Sequence, residues 1–212
     1  MKFYPAYLDL RDRPCLVIGG GAVAERKALS LLEAGAEVTV VSPVLTPKLK
    51  ELSVSGKITH RQKNFDEQDL SGEFLAIAAT DSSEVNIQAA HACKKRHMLV
   101  NVAAPPEEST FIVPSVLERG ELLIAVSTSG ASPALSQKIR RELEHRYGPE
   151  YELFLGKLSA LRARVLEEVP DEQERGRIFH ALVDSDAIEL LKQGRTQEAE
   201  IRMAEVAGLK HR

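Results

Sequence analysis

The chain has 212 residues, 43% of them hydrophobic and 28% charged, with a formal net charge of −3. This composition suits a globular protein with room for one core and a smaller second one, and its near-neutral balance leaves no footprint for bulk nucleic-acid binding. No apolar run approaches the ~20 residues of a membrane span, the start of the chain lacks a secretory apolar region, and Cys15 and Cys93 make no disulfide framework, so a cytoplasmic protein is expected.

Residues 3–10 form a short apolar lead-in, and residues 11–14 turn the chain into a first strand at 15–18, an apolar run with the length of a buried strand. A glycine turn follows, then a helical pattern with Ala28, Leu29, Leu31 and Leu32 on its apolar side. Gly19, Gly21 and Ala24 match the G-x-G-x-x-G/A spacing. Gly19 is expected to make the tight turn, Gly21 to let the backbone approach a pyrophosphate, and Ala24 to let the helix lie close to the strand. The helix start, with Ala22 and Val23 in its first turn, offers free N–H groups and the positive end of the helix dipole to phosphates. Gly35 stands where a glycine ends a helix. A glycine spacing alone is weak, and the strand before it and the helix after it are what make dinucleotide binding the expectation.

The second strand covers 38–41. An acidic residue for the ribose hydroxyls is expected at its end, and Ser42, Pro43 and Val44 stand there instead, with no arginine immediately beside them for a 2′-phosphate. Serine can hydrogen-bond a ribose hydroxyl, so NAD is favoured over NADP. A helix at 47–52 ended by Gly56, a strand at 58–61, a polar connection at 65–70, a strand at 75–79, a helix at 84–95 and a strand at 99–102 come next. Such alternation predicts a doubly wound parallel sheet, with ligands at the carboxyl ends of the strands. Gly19, Ser42, Thr80, Asp81 and Ala103 are therefore expected on one rim. Thr80 and Asp81 read equally well as a helix N-cap with no ligand contact.

The pattern changes after Pro105 and Pro106. Strands are expected at 111–114 and 122–126 with a hairpin-like turn at 118–121, then a helix at 133–147 with Ser132 as N-cap and Pro133 in its first position. Further helices are expected at 150–168, at 171–183 with Asp171 and Glu174 as a capping-box variant, and in pieces from Ala187. Hydroxyls at 127–132 before a helix start, followed by Lys138, Arg140 and Arg141, form a natural anion site; a well-capped helix with a solvated basic face accounts for them equally. Other chemistry is sparse. The six histidines (60, 91, 97, 145, 180 and 211) show no metal-ligand spacing, and there is no Cys-x-x-Cys, nucleophile elbow or P-loop lysine.

Taken in order, residues 19–28 (GGGAVAERKA), 75–81 (LAIAATD), Asn101-Val102, 111–115 (FIVPS) and 127–133 (STSGASP) resemble the precorrin-2 dehydrogenase/sirohydrochlorin ferrochelatase module of siroheme synthase. Arg11, Arg13 and the run 161–164 (LRAR) add to the likeness, which spans nearly the whole chain. The resemblance implies a Rossmann domain at 1–112, a small strand-exchanging dimerisation region at 113–148, a helical C-terminal domain at 149–212, and a homodimer. It implies NAD-dependent oxidation of precorrin-2 to sirohydrochlorin and, in some members, insertion of ferrous iron to give siroheme, a lyase step. The sequence ends at Arg212, which on this resemblance implies a stand-alone form without a methyltransferase half.

A substrate with eight carboxylates suits the hydroxyl cluster and the basic residues after it, since arginine–carboxylate pairing is the natural recognition mode. Asn101, Thr128, Ser129, Ser132 and Arg140 are the expected substrate contacts, with the macrocycle over the rim near Asn101 and Thr80. Gly19, Gly21, Ala22, Val23, Ser42, Pro43, Val44, Thr80 and Asp81 are the expected cofactor contacts. Three positions depart from the family: Ala22 where it often has aspartate, Thr128 where it often has serine, and Ala104 where it usually carries an aspartate assigned to catalysis. Alanine cannot move a proton, so the catalytic residue is unknown, and Asp81, Glu107 and Glu108 are the candidates. A non-catalytic NAD-sensing dimer is the alternative reading. A dehydrogenase of another small acid lacks a catalytic pair in this sequence.

Overall fold

The computed structural model describes residues 3–209; His211, one of the histidines weighed for metal binding, lies outside them. The chain divides into two compact units, Met1–Val113 and Pro114–Arg212.

The first unit runs β1 (Pro14–Ile18), α1 (Ala22–Glu33), β2 (Glu37–Val41), α2 (Pro47–Val54), β3 (Thr59–Arg61), β4 (Leu75–Ala78), α3 (Ser83–Lys95) and β5 (Leu99–Val102). Its five strands form one parallel sheet in the order β3-β2-β1-β4-β5. The chain leaves β1 toward β2 and β3, then returns to pair β4 on the other side of β1. The sheet therefore has a switch point between β1 and β4. Registers align the carboxyl ends: Ile18 pairs with both Val41 and Ala78, and Ala78 with Val102. The next residue of each strand, Gly19, Ser42, Ala79 and Ala103, falls on one rim, as expected for a doubly wound sheet.

Side-chain alternation builds the two faces. Cys15 and Val17 of β1 join Ala24, Ala28 and Leu31 of α1 and Leu49 and Leu52 of α2. Leu16 and Ile18 point the other way, toward Ala89, Ala90 and Cys93 of α3. Fully burying a leucine or isoleucine stabilises by ~1.5–3 kcal/mol, so β1, buried on both faces, is the centre of the unit. The two cysteines are free, and burial pushes both thiols up to about 11, which leaves them inert packing groups.

The exposed edge of β5 is closed by its own continuation. Val100 N–H donates to Thr110 Oγ1 (2.8 Å), Thr110 N–H returns a bond to the Val100 carbonyl (2.8 Å), and Val102 N–H donates to Ser109 Oγ (2.8 Å). Hydroxyls thus take the place of a neighbouring strand and leave no free edge there.

In the second unit β6 (Ser115–Arg119) and β7 (Leu122–Val126) form an antiparallel hairpin, followed by α4 (Pro133–Arg146), α5 (Glu150–Glu168), α6 (Glu172–Asp184), α7 (Ala187–Lys192) and α8 (Thr196–Val206). The expected strand at 111–114 is not there. Arg119 pairs with Leu122, so only Gly120 and Glu121 turn, and counting back from that register places the strand at Ser115–Arg119. Gly120 has φ +58°, the backbone that a tight two-residue hairpin needs at its first central position. Glu118 and Arg119, read as turn residues for their polarity, belong to the strand. The helices match the expected ones: Ser132 accepts from Leu135 N–H at the start of α4, and Asp171 from Glu174 N–H at the start of α6. Phe154, Leu182, Leu191 and Met203 form the core these helices share.

Candidate functional site

A cleft of about 540 Å3 opens at the switch point. The glycine turn Gly19–Gly21, the β2–α2 connection at 42–46, Asn64 and Phe65 beyond β3, and Ala79 to Ser82 with Val85 line it. Its glycines have different tasks. Gly19 has φ +122°, and a Cβ there would stand 2.3 Å from the Ala79 carbonyl oxygen. A Cβ on Gly20 would meet the Val44 carbonyl oxygen and Ser42 Oγ. Gly21 is the reverse case: nothing lies within 4 Å of where its Cβ would be. The protein itself does not require glycine there, so the open space is available to a ligand.

Gly21 is also the N-cap of α1 and offers no side chain to it, whereas α2, α3, α4 and α6 are capped by Thr46, Ser82, Ser132 and Asp171. The first-turn N–H groups of α1 have no intrahelical acceptor and carry the positive end of the dipole, which together suit a pyrophosphate. The residues present therefore fit a dinucleotide. Gly19, Gly21, Ser42, Pro43, Val44, Thr80 and Asp81, all expected cofactor contacts, line the cleft. Ala22 and Val23 lie in the first turn of α1 with exposed side chains and do not line it.

The connection after β2 is held in shape. Thr46 N–H donates to the Gly20 carbonyl (2.9 Å), Thr46 Oγ1 donates to Glu25, and Ser42 Oγ donates to the Val44 carbonyl (2.8 Å). Ser42 retains lone pairs for a ribose hydroxyl. No lysine or arginine lines the cleft; Asp81 is its one charged residue among the described residues.

Beside Thr80 the structure adds a residue that the sequence reading did not single out. Asn86 of α3 is fully buried. Its Oδ1 accepts from Thr80 N–H (3.0 Å) and lies 2.8 Å from Thr80 Oγ1, and its Nδ2 donates to the carbonyls of Thr80 (3.1 Å) and Ala104 (3.0 Å). Neither Thr80 nor Asp81 caps α3; Ser82 does, accepting from Val85 N–H. Thr46, Asn64, Phe65 and Asn86 were missed. Only Thr46, a threonine directly before the Pro47 of a helix start, carried a local signal.

The candidate catalytic groups are not equivalent. Asp81 is exposed on the cleft. Glu107 and Glu108 lie on a short 3-10 turn after β5, at Pro106–Glu108. Glu107 is exposed, whereas Glu108 takes a hydrogen bond from Lys94 Nζ (2.6 Å) and faces His91 (3.6 Å). The Lys94 bond holds the Glu108 carboxyl below the usual carboxylate range, which makes it a poor proton acceptor. Asn101 is buried and does not line the cleft; its Nδ2 donates to the Phe111 carbonyl (3.1 Å).

In the second unit the expected anion site is occupied with its own turn. Thr128 Oγ1 and the Ser132 backbone bond each other at 3.0 Å, Ser132 Oγ caps α4, and Ser129 sits at φ +54°. Arg140 pairs with Glu144 and Lys138 with Glu142 along the helix surface. No three His, Cys, Asp or Glu side chains gather as a metal-ligand group among the described residues, and no described helix is long and apolar enough to cross a membrane.

Comparison with known proteins places this geometry. Three family profiles match in series: "Putative NAD(P)-binding" over residues 6–115, "Sirohaem biosynthesis protein central" over 119–146, and "Sirohaem synthase dimerisation region" over 151–206. The last covers the stretch read from the sequence as the helical domain, and the central profile covers the stretch read as the dimerisation region. The siroheme synthase of Methylococcus capsulatus is 40% identical over 98% of this chain, and that of Thioalkalivibrio sulfidiphilus 38% over 94%. The chain spans 44% and 41% of their lengths. Among solved structures, SirC, a precorrin-2 dehydrogenase, superposes with a TM-score of 0.78 at 30% identity, covering 94% of this chain and 100% of that one.

Proposed function

The chain belongs to the family of siroheme synthases and precorrin-2 dehydrogenases, and on that premise we propose that it oxidises precorrin-2 to sirohydrochlorin with NAD. The observation that carries the reading is the switch-point cleft, where Gly21 leaves open space at an uncapped helix start and no cation waits for a 2′-phosphate. Bound NAD supplies a hydride acceptor. Removing a hydride and a proton from the macrocycle balances the oxidation.

The chain's own residues have separate tasks in this reading. The α1 start and Gly21 hold the pyrophosphate, Ser42 a ribose hydroxyl, and Thr80 the rim where the reacting ring lies. Asp81 and Glu107 are the carboxylates we assign as proton acceptors, because Lys94 keeps Glu108 ionised and occupied. Asn101, Thr128, Ser129, Ser132 and Arg140 remain our proposed contacts to the acidic tetrapyrrole. Ferrous iron is a substrate of a separate insertion reaction, and with alanine at position 104 we expect the protein to be a far better dehydrogenase than chelatase. A cytoplasmic homodimer with parts at 1–112, 113–148 and 149–212 completes the proposal.

Anaerobic incubation with precorrin-2 and NAD tests it. NADH formation together with the sirohydrochlorin spectrum supports the reading. NAD binding with no turnover would replace it by a non-catalytic NAD sensor.

A further inference from the structure

Asn86 makes four side-chain hydrogen bonds that no local rule of helix formation calls for. Asparagine is a poor residue for a helix interior, and its neighbours on the same buried face of α3 are Ala89, Ala90 and Cys93. A buried carboxamide is costly unless its polar atoms are met. Here the orientation is forced: Oδ1 must face the Thr80 N–H, and Nδ2 must face the two carbonyls of Thr80 and Ala104. With the bond from Thr80 Oγ1 to Oδ1, three contacts go to Thr80, which lines the cleft. The fourth goes to Ala104, at the start of the segment that leads to Glu107 and on to the hydroxyls closing the β5 edge.

We propose that Asn86 is a positioning residue, whose carboxamide clamps the cleft rim at Thr80 to the segment after β5 at Ala104 so that the two move as one body. The proposal rests on the dehydrogenase reading for its catalytic consequence and not for its structural one. A cofactor ring on the rim and a substrate beside the 104–108 segment keep their separation only if those two stretches are locked together. A displacement of about 1 Å between reacting groups can cost a hundredfold in rate.

Asn86→Asp divides the clamp. The carboxylate still accepts from Thr80, but it presents oxygen to the Thr80 and Ala104 carbonyls and donates to neither until it is protonated. Hydrogen–deuterium exchange is measured on the peptides covering 79–82 and 103–110, with steady-state kinetics from about pH 6 to about pH 8.5. The proposal requires both peptides to exchange faster in the variant. It also requires kcat to fall by roughly tenfold or more with the KM for NAD nearly unchanged, and to recover toward acid pH in the variant alone. Faster exchange confined to 79–82, or a kcat equal to that of the native protein at every pH, overturns it. Native protein that fails to oxidise precorrin-2 sinks the dehydrogenase reading, and the exchange data then decide the clamp by themselves. Should Asn86→Asp not fold, Asn86→Ala removes both amide donors without adding charge or a new donor, and the same two peptides are read.

Discussion

A Cβ on Gly20 would stand 1.9 Å from the carbonyl oxygen of Val44. The glycine turn and the connection after β2 therefore touch backbone to backbone, and the Thr46 N–H bond to the Gly20 carbonyl fixes the contact. The middle glycine of the turn serves the fold, while a Cβ on Gly21 beside it would meet no protein atom within 4 Å.

The two glycines should separate on mutation. Gly20→Ala must push the 42–46 connection away, and forcing an extra methyl into packed backbone typically costs ~1–3 kcal/mol, so its melting temperature should fall. A Cβ on Gly21 meets no protein atom within 4 Å, so Gly21→Asp should melt like the native protein, yet lose NAD binding through bulk and charge at the helix start. Calorimetry on both variants decides; unchanged NAD affinity in folded Gly21→Asp removes the pyrophosphate from this loop.

Much of this could be read from the chain, and the reasons differ by region. The strands up to Val102 are short apolar runs bounded by glycine, proline or charge, and the β1–α1 turn carries its spacing openly. Gly20 was passed over because its constraint comes from Val44, in the connection beyond β2. Asn86 was passed over because a lone polar residue in a helix declares nothing until its partners, Thr80 and Ala104, are known to converge on it. The apolar run at 111–114 predicts a strand that the structure does not form. The strand is Ser115–Arg119, in register with Leu122–Val126, and the turn is two residues rather than the four expected at 118–121. In the second unit the sequence leaves two roles open for the hydroxyls of Thr128 and Ser132, because helix capping and anion binding use the same residue types; the structure shows the turn and the cap that they make.

Cofactor choice follows from charge. With no cation lining the cleft among the described residues, NAD should bind more tightly than NADP, whose 2′-phosphate would go unpaired. Val44 is 75% exposed on the connection that lines the ribose end, so Val44→Arg should not disturb the fold. A charge-assisted hydrogen bond is worth ~1.5–3 kcal/mol, so this one change should improve NADP binding by roughly tenfold or more relative to NAD. Titration with both nucleotides measures the ratio, and an unchanged ratio would place the 2′ position away from Val44.

The wall of the cleft beyond β3 depends on Asp69. Burial pushes its carboxyl up, but the Lys63 ammonium at 2.9 Å, the Asp66 N–H and Arg61 outweigh burial and hold it below its ordinary value. Because the folded pKa is lowered, this stabilisation is present above the ordinary aspartate value near ~4 and is lost as the pH falls through the folded pKa. Lys63 is half exposed, so Lys63→Met should cost less than ~1 kcal/mol at neutral pH. Urea unfolding at neutral and strongly acidic pH should give a gap between native and variant that closes in acid; a gap independent of pH would show that Lys63 acts by packing.

Assembly should follow from the second unit. Leu135, Leu153, Leu166, Val183 and Ile201 are large apolar side chains exposed on its helices, and a symmetric dimer is the common way to cover such faces. Light scattering at micromolar concentration should report twice the 23.3 kDa chain mass, and a monomer there would contradict the homodimer.

Position 104 tests where the chemistry's proton goes. Ala104 is exposed at the carboxyl end of β5, and its carbonyl is fixed by Asn86, so a longer side chain there can point away from the fold without disturbing it. An aspartate in that place would supply a carboxylate beside the rim, and general acid–base help is typically worth ~10²–10⁴-fold. Metal insertion needs pyrrole protons to leave as the ion enters, so Ala104→Asp should raise iron insertion more than dehydrogenation. Glu108→Gln should change neither rate, because its carboxylate is already held by Lys94. Asp81→Asn and Glu107→Gln divide the remaining possibilities: the one that lowers dehydrogenation while leaving NAD affinity intact is the proton acceptor of the native protein. If Ala104→Asp and both of those variants match the native protein in the two assays, no carboxylate on this rim takes part, and the proton leaves to water or to a group in the second unit, with Thr128 the next to be replaced.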